Sequence, residues 1–191
     1  NLSRSEYADG RVVERGYDYL GNPTSFTDES GTTSLVYNEN NVATSVTDGN
    51  GNTLAYEYDK TLINRTSVTY PDGTQYDYTY NPSYYPTSVT GTEGTTNYTY
   101  RFDGLPLTRT LPNGIITTYS YNSVGWVTQV LHELGDTVLF QYDYQHDTDG
   151  NITQMAVSGT ETDAYSIAYV YDNIGQLIRS EHSDGTFHEY Q

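Results

Sequence analysis

No cysteine occurs among the 191 residues, so neither a disulfide nor a thiolate metal site is open to this chain. Basic residues are also scarce. Lys60 is the single lysine, and Lys plus Arg total 8 against 25 Asp plus Glu, a formal net charge of −17. A surface of that sign repels phosphate backbones, and no basic stripe alternates with the aromatic residues, so nucleic acid is excluded as a partner. No apolar run is long enough to cross a bilayer as a helix, and no membrane insertion is expected. Aliphatic residues are few, and no window sustains the 3.6-residue apolar period of an amphipathic helix. A Gly-x-Ser-x-Gly elbow is missing, and no pair of carboxylates stands apart from turn positions. The chain is therefore expected to be no enzyme and to hold no metal or cofactor.

What the chain has is tyrosine, 22 in all, and they recur. Eight occupy one setting: Tyr17, Tyr37, Tyr58, Tyr80, Tyr100, Tyr121, Tyr144 and Tyr171, spaced 20 to 27 residues apart. A glycine follows each at 14 or 15 residues: Gly31, Gly51, Gly73, Gly94, Gly114, Gly135, Gly159 and Gly185. A register held over the whole length marks a repeat array. Six anchors have a second tyrosine two residues earlier, as in Tyr78 and Tyr80. That spacing puts both rings on one face of a strand, while small or polar residues such as Thr79 and Ser120 take the other. Asp or Asn follows six anchors, a residue that nucleates a turn by accepting a backbone hydrogen bond two residues on. Gly21, Gly104, Gly125 and Gly175 then stand four residues after their anchors, where a bulged hairpin turn needs positive φ. Asp72-Gly73, Asn113-Gly114 and Asp184-Gly185 signal the second turn of the unit. Between turns lie Thr- and Val-rich runs such as "VATSVTD". Each repeat reads as two antiparallel strands and two turns. The predicted fold is all-β, a repetitive antiparallel β-hairpin array, continuous over 1–191 with about eight repeats. The register starts and stops in mid-repeat, which predicts an excerpt of a longer protein.

The slots Tyr-Asp-x-x-Gly-Asn-x-Thr-Ser, read in "YDYLGNPTS" at 17–25 and "YNENNVATS" at 37–45, resemble the YD repeat, or Rhs repeat, over the whole chain. Rhs polymorphic toxins, the C component of insecticidal toxin complexes and the teneurins share that repeat. The resemblance implies a spiralling antiparallel sheet that forms a hollow shell, which in the toxins encloses a C-terminal effector. At about 4.8 Å per strand, eight repeats span roughly 75 Å, a partial shell. The implied function is a structural segment of an encapsulating wall in a secreted or cell-surface bacterial protein. Its partners would be the rest of the shell and an enclosed effector. Arg101 and Gln145 depart from the pattern after their anchors, and the seventh unit is expected to lengthen its first turn, "QHDTDGN", and its second half.

A different class of function is an extracellular adhesion or carbohydrate-binding module. Trp126, the single tryptophan, is its candidate ligand-stacking platform; alternatively it occupies the slot that other repeats fill with Asn22, Val42 or Gln176. Asp48 to Asn52 and Asp147 to Asn151 have the look of calcium-loop fragments, yet both fall on predicted turns and lack the glycine at the sixth position. His132, His146, His182 and His188 share no ligand spacing and read as strand residues, although His182 and His188 are placed to face each other across a hairpin. Sequons at Asn64, Asn97 and Asn151 follow from a composition rich in Asn and Thr.

Overall fold

A computed structural model of the protein describes residues 2–61 and 64–190. The expected array over 1–191 also takes in Asn1, Leu62, Ile63 and Gln191, which lie outside the described residues. The chain is all-β, with eighteen antiparallel strands and no helix among the described residues. Two compact units divide it, Asn1–Gly94 and Thr95–Gln191.

The first unit holds β1 (Leu2–Glu6), β2 (Val12–Tyr17), β3 (Pro23–Asp28), β4 (Gly31–Tyr37), β5 (Ala43–Thr47), β6 (Thr53–Tyr58), β7 (Arg65–Thr69), β8 (Gln75–Tyr80) and β9 (Pro86–Gly91). Each pairs antiparallel with the next, a plain meander. The second unit repeats the scheme with β10 (Gly94–Tyr100), β11 (Pro106–Thr110), β12 (Ile115–Tyr121), β13 (Val127–Leu134), β14 (Thr137–His146), β15 (Ile152–Ser158), β16 (Tyr165–Tyr171), β17 (Leu177–His182) and β18 (Phe187–Glu189). Here too each strand pairs with its successor.

Strand period decides the faces. In β8, Tyr76, Tyr78 and Tyr80 are half-buried while Gln75, Asp77 and Thr79 are exposed. Register carries this across strands: Tyr56 pairs with Val68, and Val68 with Tyr76. The opposite face of the same strands pairs Glu57 with Ser67 and Ser67 with Asp77. In the second unit Tyr119, Val130, Tyr142 and Val157 follow one another on one face, and Ser120, Gln129, Asp143 and Ala156 on the other.

One face is aromatic and apolar, the other rich in Ser, Thr and amides. A single layer of sheet covers side chains only by their neighbours, so burial stays shallow. Among the described residues just two hydrophobic side chains are buried, Val68 at 4% exposure and Val157 at 3%. Both stand between rings of two flanking strands, where burial of a valine is worth about 1.5–3 kcal/mol. Stability is thus spread along the strand ladder, in the manner of repeat proteins.

Candidate functional site

The repeating turn that follows each anchor is built by one side-chain oxygen. Asp18 Oδ1 accepts the N–H groups of Leu20 and Asn22, each at 2.9 Å, and the Asp18 N–H donates to the Asn22 carbonyl at 3.0 Å. Asn38, Asn81, Asn122 and Asp172 make the same pair of contacts to the residues two and four positions on. Asp and Asn serve alike because the working atom is an acceptor oxygen that both possess. Where Arg101 holds that slot, Asp103 supplies the carboxylate instead. It pairs with the Arg101 guanidinium and accepts the Leu105 N–H at 3.4 Å. Donation from the Asn22, Asn52 and Asn151 side chains holds the carboxyls of Asp18, Asp48 and Asp147 below their ordinary range.

At each turn the register shifts by one residue just before the strand's last position, for example between Gly16 and Tyr17 and between Thr79 and Tyr80. On the far side of the turn, the carbonyl of the residue that opens the next strand accepts an anchor hydroxyl. Tyr58 donates to the Ala43 carbonyl at 3.1 Å and Tyr80 to that of Arg65 at 2.9 Å. Tyr121 donates to the Pro106 carbonyl at 2.8 Å and Tyr171 to that of Ile152 at 2.9 Å. Each acceptor begins the strand after the preceding repeat's turn, so each bond ties one repeat to the one before it. Burial raises the hydroxyl pKa of Tyr80, Tyr121 and Tyr171, which keeps these groups protonated and donating. Tyr17, Tyr37 and Tyr100 end their strands in the same position.

The seventh unit differs from its expected layout. Its first turn, Asp147 to Asn151, has the ordinary length and bonding, with Asp147 N–H on the Asn151 carbonyl at 3.0 Å. The extra residues lie in β13 and β14, eight and ten residues long, and in the segment after Gly159, where Thr160 N–H reaches back to the Val138 carbonyl. The residue directly before the turn is therefore His146, and Tyr144 stands two positions earlier. Spacing measured from the turn would have found this, since Asp147-Thr-Asp-Gly-Asn matches Asp18-Tyr-Leu-Gly-Asn.

All eight glycines of the second slot have positive φ: Gly31, Gly51, Gly73, Gly94, Gly114, Gly135, Gly159 and Gly185. Gly51, Gly73, Gly114 and Gly185 close five-residue turns by donating to the carbonyl three residues back. Asp48 Oδ1 is occupied by the Asn50 and Asn52 N–H groups and Oδ2 by the Asn52 side chain, so turn bonding accounts for the calcium-loop look of this stretch and, by the same contacts, of Asp147. Among the described residues no three potential ligands converge on a metal position.

Trp126 is half-buried against its own chain. Its ring lies 5.5 Å from that of His146, tilted by 35°, and a Cβ added at Gly150 would come within 2.9 Å of it. The ring thus fills the step between two successive turns, in the slot that Leu105 and Asn22 fill elsewhere. His182 and His188 do face each other across β17 and β18, ring centroids 6.4 Å apart. His132 belongs to a group the sequence did not single out, because its members come from three strands: its Nδ1 is 3.0 Å from the fully buried Thr117 hydroxyl, which also lies 3.4 Å from Arg109. Burial, then the Arg109 charge, lowers the His132 pKa.

Comparison with known proteins agrees with this repeat. Residues 103–137 match the family model of the RHS repeat, the repeat type that the sequence resembles. No curated protein sequence matches the chain. Among solved structures, the crystal structure of TcdB2-TccC3-Cdc42 is similar with a TM-score of 0.76 and 18% identity, over 94% of this chain and 12% of that one. The crystal structure of TcdB2-TccC3 gives 0.75 and 17% over the same shares. The Photorhabdus luminescens Tc holotoxin pore, with a mutated TccC3, gives 0.54 and 14% over 97% and 15%. At such identities the likeness is one of fold, and the chain spans about an eighth of the first two chains' length.

Proposed function

We propose that this chain is a structural, non-catalytic wall segment of an Rhs-type shell. In this reading it is one continuous array of about eight repeats that helps enclose a C-terminal toxin or effector in a secreted or surface bacterial protein. The observation that carries the reading is the tie between repeats. Anchor hydroxyls at Tyr58, Tyr80, Tyr121 and Tyr171 bond the chain of the preceding repeat, while the turn carboxylates spend their acceptors on the turns themselves. Such an arrangement stiffens a surface, the part expected of a wall. The anchor tyrosines and turn glycines are then the residues on which the wall depends, and Trp126 is a spacer between turns. Likeness of fold to TccC3-containing toxin complexes and the RHS repeat over 103–137 support the assignment. Partners follow by analogy: the remainder of the shell and the domain it encloses. A net charge of −17 favours a basic cargo and a soluble exterior.

Limited proteolysis of the parent protein tests this reading. The enclosed domain is expected to resist cleavage in the intact protein and to become sensitive once the wall is opened by Gly-to-Val changes at Gly51 and Gly73. Equal cleavage rates in intact and opened protein would remove the enclosure role.

A further inference from the structure

Two second-slot turns in the first unit are near copies. Tyr7-Ala-Asp9-Gly10-Arg11 and Tyr70-Pro-Asp72-Gly73-Thr74 share their backbone bonds: Tyr7 N–H to the Arg11 carbonyl at 2.9 Å, Tyr70 N–H to the Thr74 carbonyl at 2.8 Å, and each glycine back to its tyrosine at 2.9 Å. Gly10 and Gly73 have φ of 87° and 84°. The aspartate of each accepts the N–H two residues on, at 3.1 Å for Asp9 and 2.9 Å for Asp72. They differ at the second residue, Ala8 against Pro71, and at the last, Arg11 against Thr74. Arg11 sends its guanidinium to Asp9, Nε to Oδ2 at 2.7 Å, with its central carbon 5.3 Å from the Tyr7 ring centroid.

In the second turn the Thr74 side chain bonds the Asp72 carboxylate, but it is too short to lay a cation against the Tyr70 ring as Arg11 does at Tyr7. Tyr70 and Asp72 border an open surface cavity of about 610 Å³, lined further by Thr74, Tyr76, Tyr78, Val89 and Thr92. Tyr70 and Tyr76 meet edge to face at 5.9 Å and 77°, forming a corner of two rings. Tyr76 lies over Gly91, where a Cβ would run into the ring, so the absent side chain at Gly91 lets the ring settle against the strand.

We propose that this cavity binds a guanidinium group presented by a basic peptide or protein partner. A carboxylate beside a corner of phenol rings supplies both attractions such a cation uses, a charge-assisted hydrogen bond and the negative ring faces. The chain's own Arg11 shows the pose. Arg65 extends the case, since its guanidinium lies 5.6 Å from the Tyr56 ring and 5.5 Å from the Tyr78 ring on this same aromatic face. Surplus negative charge, 25 acids against 8 bases, draws a cationic partner and disfavours an anionic one. The site stands on local geometry and does not depend on the enclosure reading.

The test is an NMR titration of the tyrosine ring signals of the full chain with Nα-acetyl-L-argininamide, and separately with its uncharged isostere Nα-acetyl-L-citrullinamide. The arginine probe is expected to give saturable shifts at Tyr70 and Tyr76, and the citrulline probe none. Asp72→Asn keeps the turn's acceptor oxygen and is expected to weaken binding at least tenfold. Thr74→Arg places the protein's own guanidinium in the cavity, as at Arg11, and is expected to abolish the response. Equal shifts with citrullinamide, or an unchanged response in Thr74→Arg, overturn the proposal.

Discussion

Replacing Tyr171 by Phe removes one oxygen and leaves the ring in place, so it isolates the tie to the Ile152 carbonyl at 2.9 Å. A hydrogen bond of this kind contributes a net ~0.5–1.5 kcal/mol. The site is partly buried, so water replaces the lost donor only in part, and the expected cost is about 1 kcal/mol. With a urea dependence of about 2 kcal/mol per molar, the unfolding midpoint should fall by roughly 0.5 M with the slope unchanged. Tyr144→Phe is the matched control. Tyr144 lies on the same face two residues before the slot that His146 fills; burial raises its hydroxyl pKa, and among the described residues no carbonyl accepts that hydroxyl. Removing a half-buried hydroxyl without a protein partner among the described residues should be neutral or slightly stabilising. If both variants lose the same stability, the cost belongs to tyrosine packing in general and the tie has no special weight.

Three further outcomes follow from the geometry. Gly150→Ala should destabilise more than Gly73→Ala: both glycines have positive φ, at about 1–2 kcal/mol for any side chain, but only at Gly150 does the new methyl collide with Trp126. Adding Trp126→Ala should erase most of that difference in thermal melts. Asp48 has its carboxyl pKa lowered, chiefly by the Asn52 side chain, so its contribution is present above the unfolded pKa and is lost as pH falls through the folded one. Asp48→Asn should flatten the acid limb of stability measured between about pH 5 and 2. His132 has its pKa lowered, so the fold favours the neutral ring, and stability drops as pH falls below the ordinary value of 6.5 until the folded pKa is reached. In an NMR titration Arg109→Gln should move the His132 midpoint part of the way back up, since burial remains as the larger cause.

Much of this architecture was legible in the residues because its signals are local. Tyr78 and Tyr80 share a face by strand period alone, whatever lies beside them. Asp18 with Gly21, or Asp184 with Gly185, sets a turn through bonds that close within five residues. The seventh unit shows the limit of that reading: Tyr144 has the expected side chain, but the turn geometry makes His146 the residue before the bend. Arg101 hid a second exchange, its turn carboxylate having moved to Asp103. Groups assembled from several strands had no linear signature. Arg109, Thr117 and His132 meet only through the register of β11, β12 and β13, and Trp126 reaches Gly150 only because one turn rests on the next.

The most direct test of the central claim is a cryo-electron microscopy structure of the parent protein. The account predicts that residues 2–61 and 64–190 stand in its wall as strand-paired repeats around an enclosed domain, with the hydroxyls of Tyr58, Tyr80, Tyr121 and Tyr171 on carbonyls of the repeat before. A segment that hangs free of any wall, or a wall that surrounds no domain, would contradict it.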